Sequence, residues 1–220
     1  MFSWIISDLW DSVEHVIGLI ARFGWRSGLQ TGDNARMKLE SDSFLSPVGQ
    51  VILVARDSEL VFVDFEDNEK RMRRLLEVRF GVYHLEKSSL PHFKSKLEAY
   101  FSGDLEAVND LNVSTGGTEF QARVWQALRE IPTGQTMTYG ALAAKLDKPG
   151  ASRAVGMING LNPISIVLPC HRVIGANGTL IGYAGGLERK KWLLEHEGVK
   201  LRGSSPSPVQ GSLFELENSL

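Results

Sequence analysis

Two hydrophobic periods divide this chain. Residues 50–56 (QVILVAR) and Glu59–Phe65 (ELVFVDF) are rich in β-branched and aliphatic side chains, and Val61, Val63 and Phe65 alternate, so two strands are expected with those three on one face. Asp57-Ser58 between them predicts a hairpin. The period then lengthens. Residues 68–79 place Met72, Leu75, Leu76 and Arg79 at helical spacing, and Pro91 opens a second helix bearing Phe93, Leu97, Tyr100 and Phe101, closed by Gly103. Residues 104–117 (DLEAVNDLNVSTGG) lose both periods and read as a polar connector, which sets a domain boundary there.

The second half is helical in pattern. Thr118 and Gln121 have capping-box spacing, and the helix they open buries Phe120, Val124, Ala127, Leu128 and Ile131 before Pro132-Thr133-Gly134 stops it. Thr138 is an N-cap for residues 139–146, and a Lys148-Pro149-Gly150 turn leads to a third helix over 151–161. Two short helices about a glycine-containing turn, the second carrying Arg153, have a helix-turn-helix outline. Asn162-Pro163 ends the third helix, because proline disfavours the helical conformation of the residue before it. The apolar run 164–168 is expected as a buried strand leading into Pro169-Cys170. Asn177-Gly178 predicts a tight turn, residues 182–186 a flexible loop, and residues 187–197 a last helix that packs Leu187, Trp192 and Leu194 and stops at Gly198. The fold class is α/β (α+β in layout): a small sheet-plus-helix unit over 37–117 and a mostly helical unit over 118–202.

Both ends differ from this body. Residues 1–26 are rich in aromatics and aliphatics, but Asp8, Asp11, Glu14 and His15 interrupt them well short of the ~20 apolar residues of a membrane span. The stretch lacks the basic start and cleavage site of a signal peptide. An amphipathic helix or an extension outside the fold both fit it; residues 27–36 read as a linker and Met37 as a plausible alternative start. Residues 203–209 (GSSPSPV) read as a flexible tether.

Charge adds an asymmetry that the net value of -2 conceals. Residues 1–115 carry 13 Lys+Arg against 18 Asp+Glu, whereas residues 116–202 carry 11 against 6, so the C-terminal half is the one suited to a polyanion. The single cysteine excludes an internal disulfide and disfavours a structural zinc cluster, and it fits a reducing, intracellular compartment. That cysteine, Cys170, is followed at once by His171. Alone, the pair fits either a buried structural thiol or a nucleophile with its base. Residues 37–103 contain no cluster with chemical meaning; His84 and His92 are expected at the surface or in packing, and this half reads as scaffold.

Several ordered motifs decide between those readings. Arg153-Ala154-Val155-Gly156, Asn162-Pro163, Pro169-Cys170-His171-Arg172-Val173, Gly182-Tyr183 with Gly185-Gly186, and the segment from Trp192 to Gly198 together resemble the O6-alkylguanine-DNA alkyltransferases, the methylated-DNA–protein-cysteine methyltransferase family. The resemblance runs without gaps from about Phe120 to Val199 and is general in pattern from Met37. It implies a ribonuclease H-like N-terminal domain and a winged-helix-like DNA-binding domain. It also implies irreversible, single-turnover transfer of an alkyl group from guanine O6, and possibly thymine O4, to Cys170, with no cofactor and no metal.

Residue by residue, the resemblance implies that His171, oriented by Glu197, takes the Cys170 proton through a water. A free thiol of pKa ~8.5 needs such a base at neutral pH. Neighbouring side chains on an extended segment point apart, so a bridging water or a turn is required at Cys170-His171. Tyr139 matches the residue that hydrogen-bonds or protonates the leaving base, and Asn162 the one that orders the Pro-Cys segment. Val173, Tyr183 and Ala184 would line the base pocket with Tyr139. Ala151, Ser152, Gly156 and Tyr139 would face DNA with Arg153, which fills the gap left by the flipped nucleotide. Ile158 stands where the family more often has alanine and Ile181 where it has threonine, both expected near the DNA or the pocket mouth.

Partners follow from this. Double-stranded DNA bound largely without regard to sequence, by a cytoplasmic monomer, is the main one. Gln210, Leu213 and Phe214 also resemble the short peptides that dock bacterial repair proteins on the sliding clamp. A non-catalytic DNA-binding or regulatory module is the alternative, although Cys170 argues against it, and a cysteine hydrolase has little support from a helix-turn-helix and a basic half.

Overall fold

The computed structural model describes residues 37–201. The N-terminal extension and the clamp-like segment at 210–214 lie outside the described residues. Strands β1 (Met37–Ser46), β2 (Gly49–Arg56), β3 (Glu59–Phe65) and β4 (Tyr83–Lys87) form one sheet in the order β3-β2-β1-β4. β1–β2 and β2–β3 are antiparallel, while β1–β4 is parallel. The hairpin turn has Asp57 and Ser58 at φ 50° and 65°, a left-handed pair that matches the twist of the flanking strands.

One expectation about this sheet needs correction. Val54 pairs with Phe62 and Ala55 with Leu60, so Val61 is skipped by a bulge. Val61 therefore turns to the opposite face from Val63 and Phe65, and packs with Leu39, Val54 and Phe62 against Met72 and Leu76. Those two belong to α1 (Glu69–Phe80), which covers that face of the sheet. β1 and β4 carry no predictive pattern. β1 (MKLESDSFLS) is held between two neighbours by its backbone and buries only Leu39, Phe44 and Ser46, and β4 is a short edge strand.

The other sheet face meets one continuous core that runs into the C-terminal half. It includes α2 (Pro91–Phe101), α3 (Glu119–Arg129), α4 (Tyr139–Lys145), α5 (Ser152–Gly160) and α6 (Leu187–His196). Both Thr118 and Thr138 cap their helices, and the capping box with Gln121 is complete. The connector is packed as well as polar: Ala107, Val108 and Leu111 are buried, and Leu60 bonds to Asn112 and Ser114 at the free edge of β3. No described helix is long and apolar enough to cross a membrane.

Residues 164–168 are buried, but they are not the expected strand. Val63 donates to the Pro163 carbonyl and accepts from Ser165, giving a single parallel bridge at Ile164. Beyond it Ile166 takes φ 74° and the chain winds through turns, with Cys170 N–H donating to Leu168. Proline at both ends withholds ladder donors, so an apolar run of strand length cannot extend the sheet. Leu187 is also a correction: it is 46% exposed, and Leu193, Leu194 and the stem of Lys190 fill the inner face of α6.

Candidate functional site

The turns after Ile164 deliver Cys170 into a short 3-10 turn, Cys170–Arg172, whose three side chains are all buried. A turn changes the problem posed by adjacent residues, because successive side chains no longer point to opposite faces. Immediately after it, β6 (Val173–Ile174) pairs in parallel with β5 (Met137–Thr138). Tyr139 follows β5, so this two-residue ladder sets Tyr139 beside the turn. Asn162 spans the approach: its amide donates to the Leu168 carbonyl at 2.8 Å and its oxygen accepts from Ile164 N–H at 3.0 Å.

His171 Nε2 lies 2.8 Å from Glu197 Oε1, with both side chains fully buried. A carboxylate can only accept here, so Nε2 carries the proton and Nδ1 is left with its lone pair. Nδ1 is buried and without a protein partner among the described residues. Arg172 donates to Glu197 through Nε at 2.8 Å and Nη2 at 2.9 Å, and to Ile131 and Thr133. Burial by itself would raise the Glu197 pKa, but the His171 and Arg172 bonds and charges outweigh it and hold it well below the usual carboxylate range. Glu197 sits at the unfavourable negative end of α6, and Arg172 supplies the compensating charge.

Burial also pushes His171 below its ordinary value despite Glu197, which keeps the imidazole neutral at pH 7. It pushes the Cys170 thiol up, against an Asn162 hydrogen bond and the charges of Lys190 and Arg71. A thiol that resists ionisation, next in the chain to a neutral imidazole whose Nδ1 keeps its lone pair, is suited to losing its proton as it reacts.

The remaining predicted residues surround this centre. Tyr139 OH lies 3.3 Å and 3.4 Å from the Ile181 and Gly182 carbonyls, and burial, with Cys170 nearby, raises its pKa to about 12. Tyr183 and Ala184 are half-buried, the Tyr183 hydroxyl is enclosed, and Val173 is fully buried. Gly185 lets the loop approach the sheet, since a Cβ there would stand 2.7 Å from the Phe65 ring. On the outer side, Arg153 is exposed on α5 beside half-buried Ala151 and Ser152. Gly156 packs under Tyr139, whose ring would lie 3.6 Å from a Cβ placed there.

Known proteins are similar to this chain over both of its halves. The DNA-binding domain of 6-O-methylguanine DNA methyltransferase matches residues 119–199, and the ribonuclease-like domain of the same protein matches residues 42–115. The chain belongs to the 6-O-methylguanine DNA methyltransferase family. A methylated-DNA–protein-cysteine methyltransferase from Salmonella typhimurium is 48% identical over 169 residues, which is 75% of this chain and 99% of that protein. One from Methanosarcina acetivorans is 46% identical over 155 residues, 70% of this chain and 96% of that one. Among solved structures, Mycobacterium tuberculosis OGT in complex with DNA superposes with a TM-score of 0.62 at 38% identity, covering 73% of this chain and 92% of that one.

Within this alkyltransferase frame, several site residues escaped the sequence reading. Lys190 Nζ, buried, donates to the carbonyls of Val173 and Ile181 at 2.6 Å and of Gly182 at 3.2 Å, so the 182–186 loop is tied down rather than free. Burial lowers its pKa to about 8. Asn159 donates to the Cys170 carbonyl at 3.3 Å.

The N-terminal half is more than scaffold. Arg71 bonds Asp64 and the carbonyls of Gly160 and Asn162, Asn68 bonds the Ala184 carbonyl, and Tyr100 reaches Glu197. None of these residues has a local motif to mark it, because each reaches the C-terminal half through a partner roughly 90 or more positions away. Ile158 is a further correction: it is 6% exposed and belongs to the core, not to the DNA face. Its carbonyl accepts from Trp125 Nε1 at 3.0 Å. Ile181 is 47% exposed.

Proposed function

We propose that this protein repairs DNA by direct reversal, moving the alkyl group of an O6-alkylguanine onto Cys170 in one irreversible event. The observation that carries the assignment of roles is the His171 ring: Nε2–H is engaged by Glu197, and the buried Nδ1 lone pair has no partner among the described residues. His171 takes the Cys170 proton through an intervening water as Sγ attacks the alkyl carbon. The S–C bond forms as the C–O6 bond breaks, and the guanine leaves with its electron pair. Tyr139 hands that base a proton, and the proton held by His171 restores the balance through solvent.

Tyr139, Val173, Tyr183 and Ala184 receive the flipped base, and Arg153 enters the stack it leaves. Ala151, Ser152 and Gly156 meet the backbone, and phosphate contacts from the basic half make binding salt-sensitive and largely independent of sequence. The reactive unit is residues 118–202, with 37–117 as its support. The thioether has no leaving route, so each molecule acts once. We place the protein in the cytoplasm as a monomer on DNA. Gln210, Leu213 and Phe214, outside the described residues, are proposed to bind the sliding clamp; deleting 210–214 removes clamp capture, and retained capture refutes it.

Intact mass after incubation with an oligonucleotide carrying O6-methylguanine tests the main reading. A stoichiometric gain of one methyl, absent in Cys170→Ser, is expected. No gain would favour a binding module, and repeated turnover a hydrolase.

A further inference from the structure

Glu197 is reached from a direction that the reactive half does not supply. Tyr100, in the last turn of α2, is fully buried and donates its hydroxyl to Glu197 Oε1 at 2.8 Å, the same oxygen that faces His171 Nε2. Its backbone grips the same helix end, because the Tyr100 carbonyl lies 2.8 Å from His196 Nε2. The Tyr100 ring meets the His196 ring edge-on at 5.3 Å, and His196 stacks on Trp192 at 4.7 Å. One residue of the N-terminal half thus fixes both the backbone and the carboxylate at the C-terminal end of α6.

We propose that Tyr100 is a positioning residue of the alkyl-transfer reaction, its phenol holding Oε1 of Glu197 in register with His171. The proposal rests on the relay described above. Arg172 binds both oxygens and fixes the carboxylate plane, but it holds the head from one side only. Tyr100 adds a third donor on Oε1, beside His171 Nε2 and Arg172 Nη2, and braces from α2 the carboxylate that orients the imidazole whose Nδ1 serves Cys170. The phenol also shares the charge that Oε1 presents to Nε2–H. The charged and titratable groups around His171 are Glu197 at the C-terminal cap of α6, Lys190 within that helix, Arg172 and Cys170 of its own turn, and Tyr100 through Glu197.

Tyr100→Phe keeps the ring contacts and the carbonyl used by His196, and removes only the hydroxyl. The full-length variant is compared with wild type for single-turnover methyl transfer from a saturating O6-methylguanine duplex, across pH. A bond to a charged group is lost, so the plateau rate falls roughly tenfold while DNA affinity is unchanged. Without the phenol, Glu197 turns its full charge on His171 and favours the imidazolium, so the acidic limb of the rate profile moves to higher pH. Phe101→Leu disturbs the same helix end without touching the carboxylate, and keeps the wild-type rate and profile.

Tyr100→Phe at the wild-type rate throughout overturns the proposal, as does Phe101→Leu slowed equally. Wild-type protein that takes up no methyl removes the functional reading itself and the positioning role with it. Active wild type with an equally active Tyr100→Phe removes only the positioning role.

Discussion

Replacing Glu197 with glutamine isolates the charge at the centre of the site while keeping its volume. Glu197 is 4% exposed and accepts from His171, Tyr100 and both Nε and Nη2 of Arg172. A glutamine has one acceptor oxygen and one donor nitrogen, so in either orientation an N–H faces another donor. The Arg172 side chain, 5% exposed, would keep one bond to the amide oxygen, the Ile131 carbonyl and the Thr133 hydroxyl, but no anion. Removing one partner of a buried ion pair costs about 3–5 kcal/mol, and the three neutral acceptors left to Arg172 place this case near the lower end. For a domain of this size a loss of about 3 kcal/mol lowers Tm by roughly 6–12 °C.

Urea unfolding at pH 7 measures it, with an unchanged m-value expected. Alkyl transfer by the folded variant falls further than stability does: an amide N–H facing Nε2 moves the imidazole proton to Nδ1 and removes the base, and an amide oxygen facing it no longer carries the charge that supports the imidazolium. General-base losses of this kind run at ~10²-fold or more. A stability loss under about 1 kcal/mol would refute the account of Arg172 as a cation dependent on Glu197. Transfer at the wild-type rate would refute the relay.

Two further outcomes follow from the same geometry. His171 is held below its ordinary pKa, so as pH falls below the unfolded value of ~6.5 the unfolded chain gains a proton that the native state refuses, and stability drops. Glu197 contributes stability that is present above the unfolded carboxylate pKa of ~4.3 and is lost as pH falls toward its depressed native value; a denaturation midpoint independent of pH from about 7 to 5 would contradict the first assignment, and one independent of pH from about 5 to 2 the second. Arg71→Met keeps the aliphatic stem but strips Asp64 of its cation and frees the Gly160 and Asn162 carbonyls at the end of α5, so a loss of about 3 kcal/mol with slower transfer is expected, and near-neutral stability would refute it.

Local chemistry was legible wherever it obeyed a short-range rule. Thr118 with Gln121, Thr138, Pro91 and Gly198 each act through neighbours three or four positions away, and the helix ends they mark are where they were expected. The apolar run 164–168 was legible as buried but not as turned, because burial depends on composition whereas its path depends on what β3 offers at its edge. β1 was illegible for the opposite reason: its polar side chains say little, and two neighbouring strands hold its backbone. Val61 kept its apolar character and lost its face to a bulge.

By itself, then, the sequence determined the helix caps, the helical second half, the family and the motif that holds Cys170, since each is carried by contiguous residues. It did not determine how the thiol is served. That required a turn to bring His171 around, α6 to return Glu197 from 26 residues on, and α2 to bring Tyr100 from 97 residues before Glu197. Hydrogen bonds are made between atoms a few ångströms apart, and only the packed tertiary core sets those distances for residues so far apart along the chain.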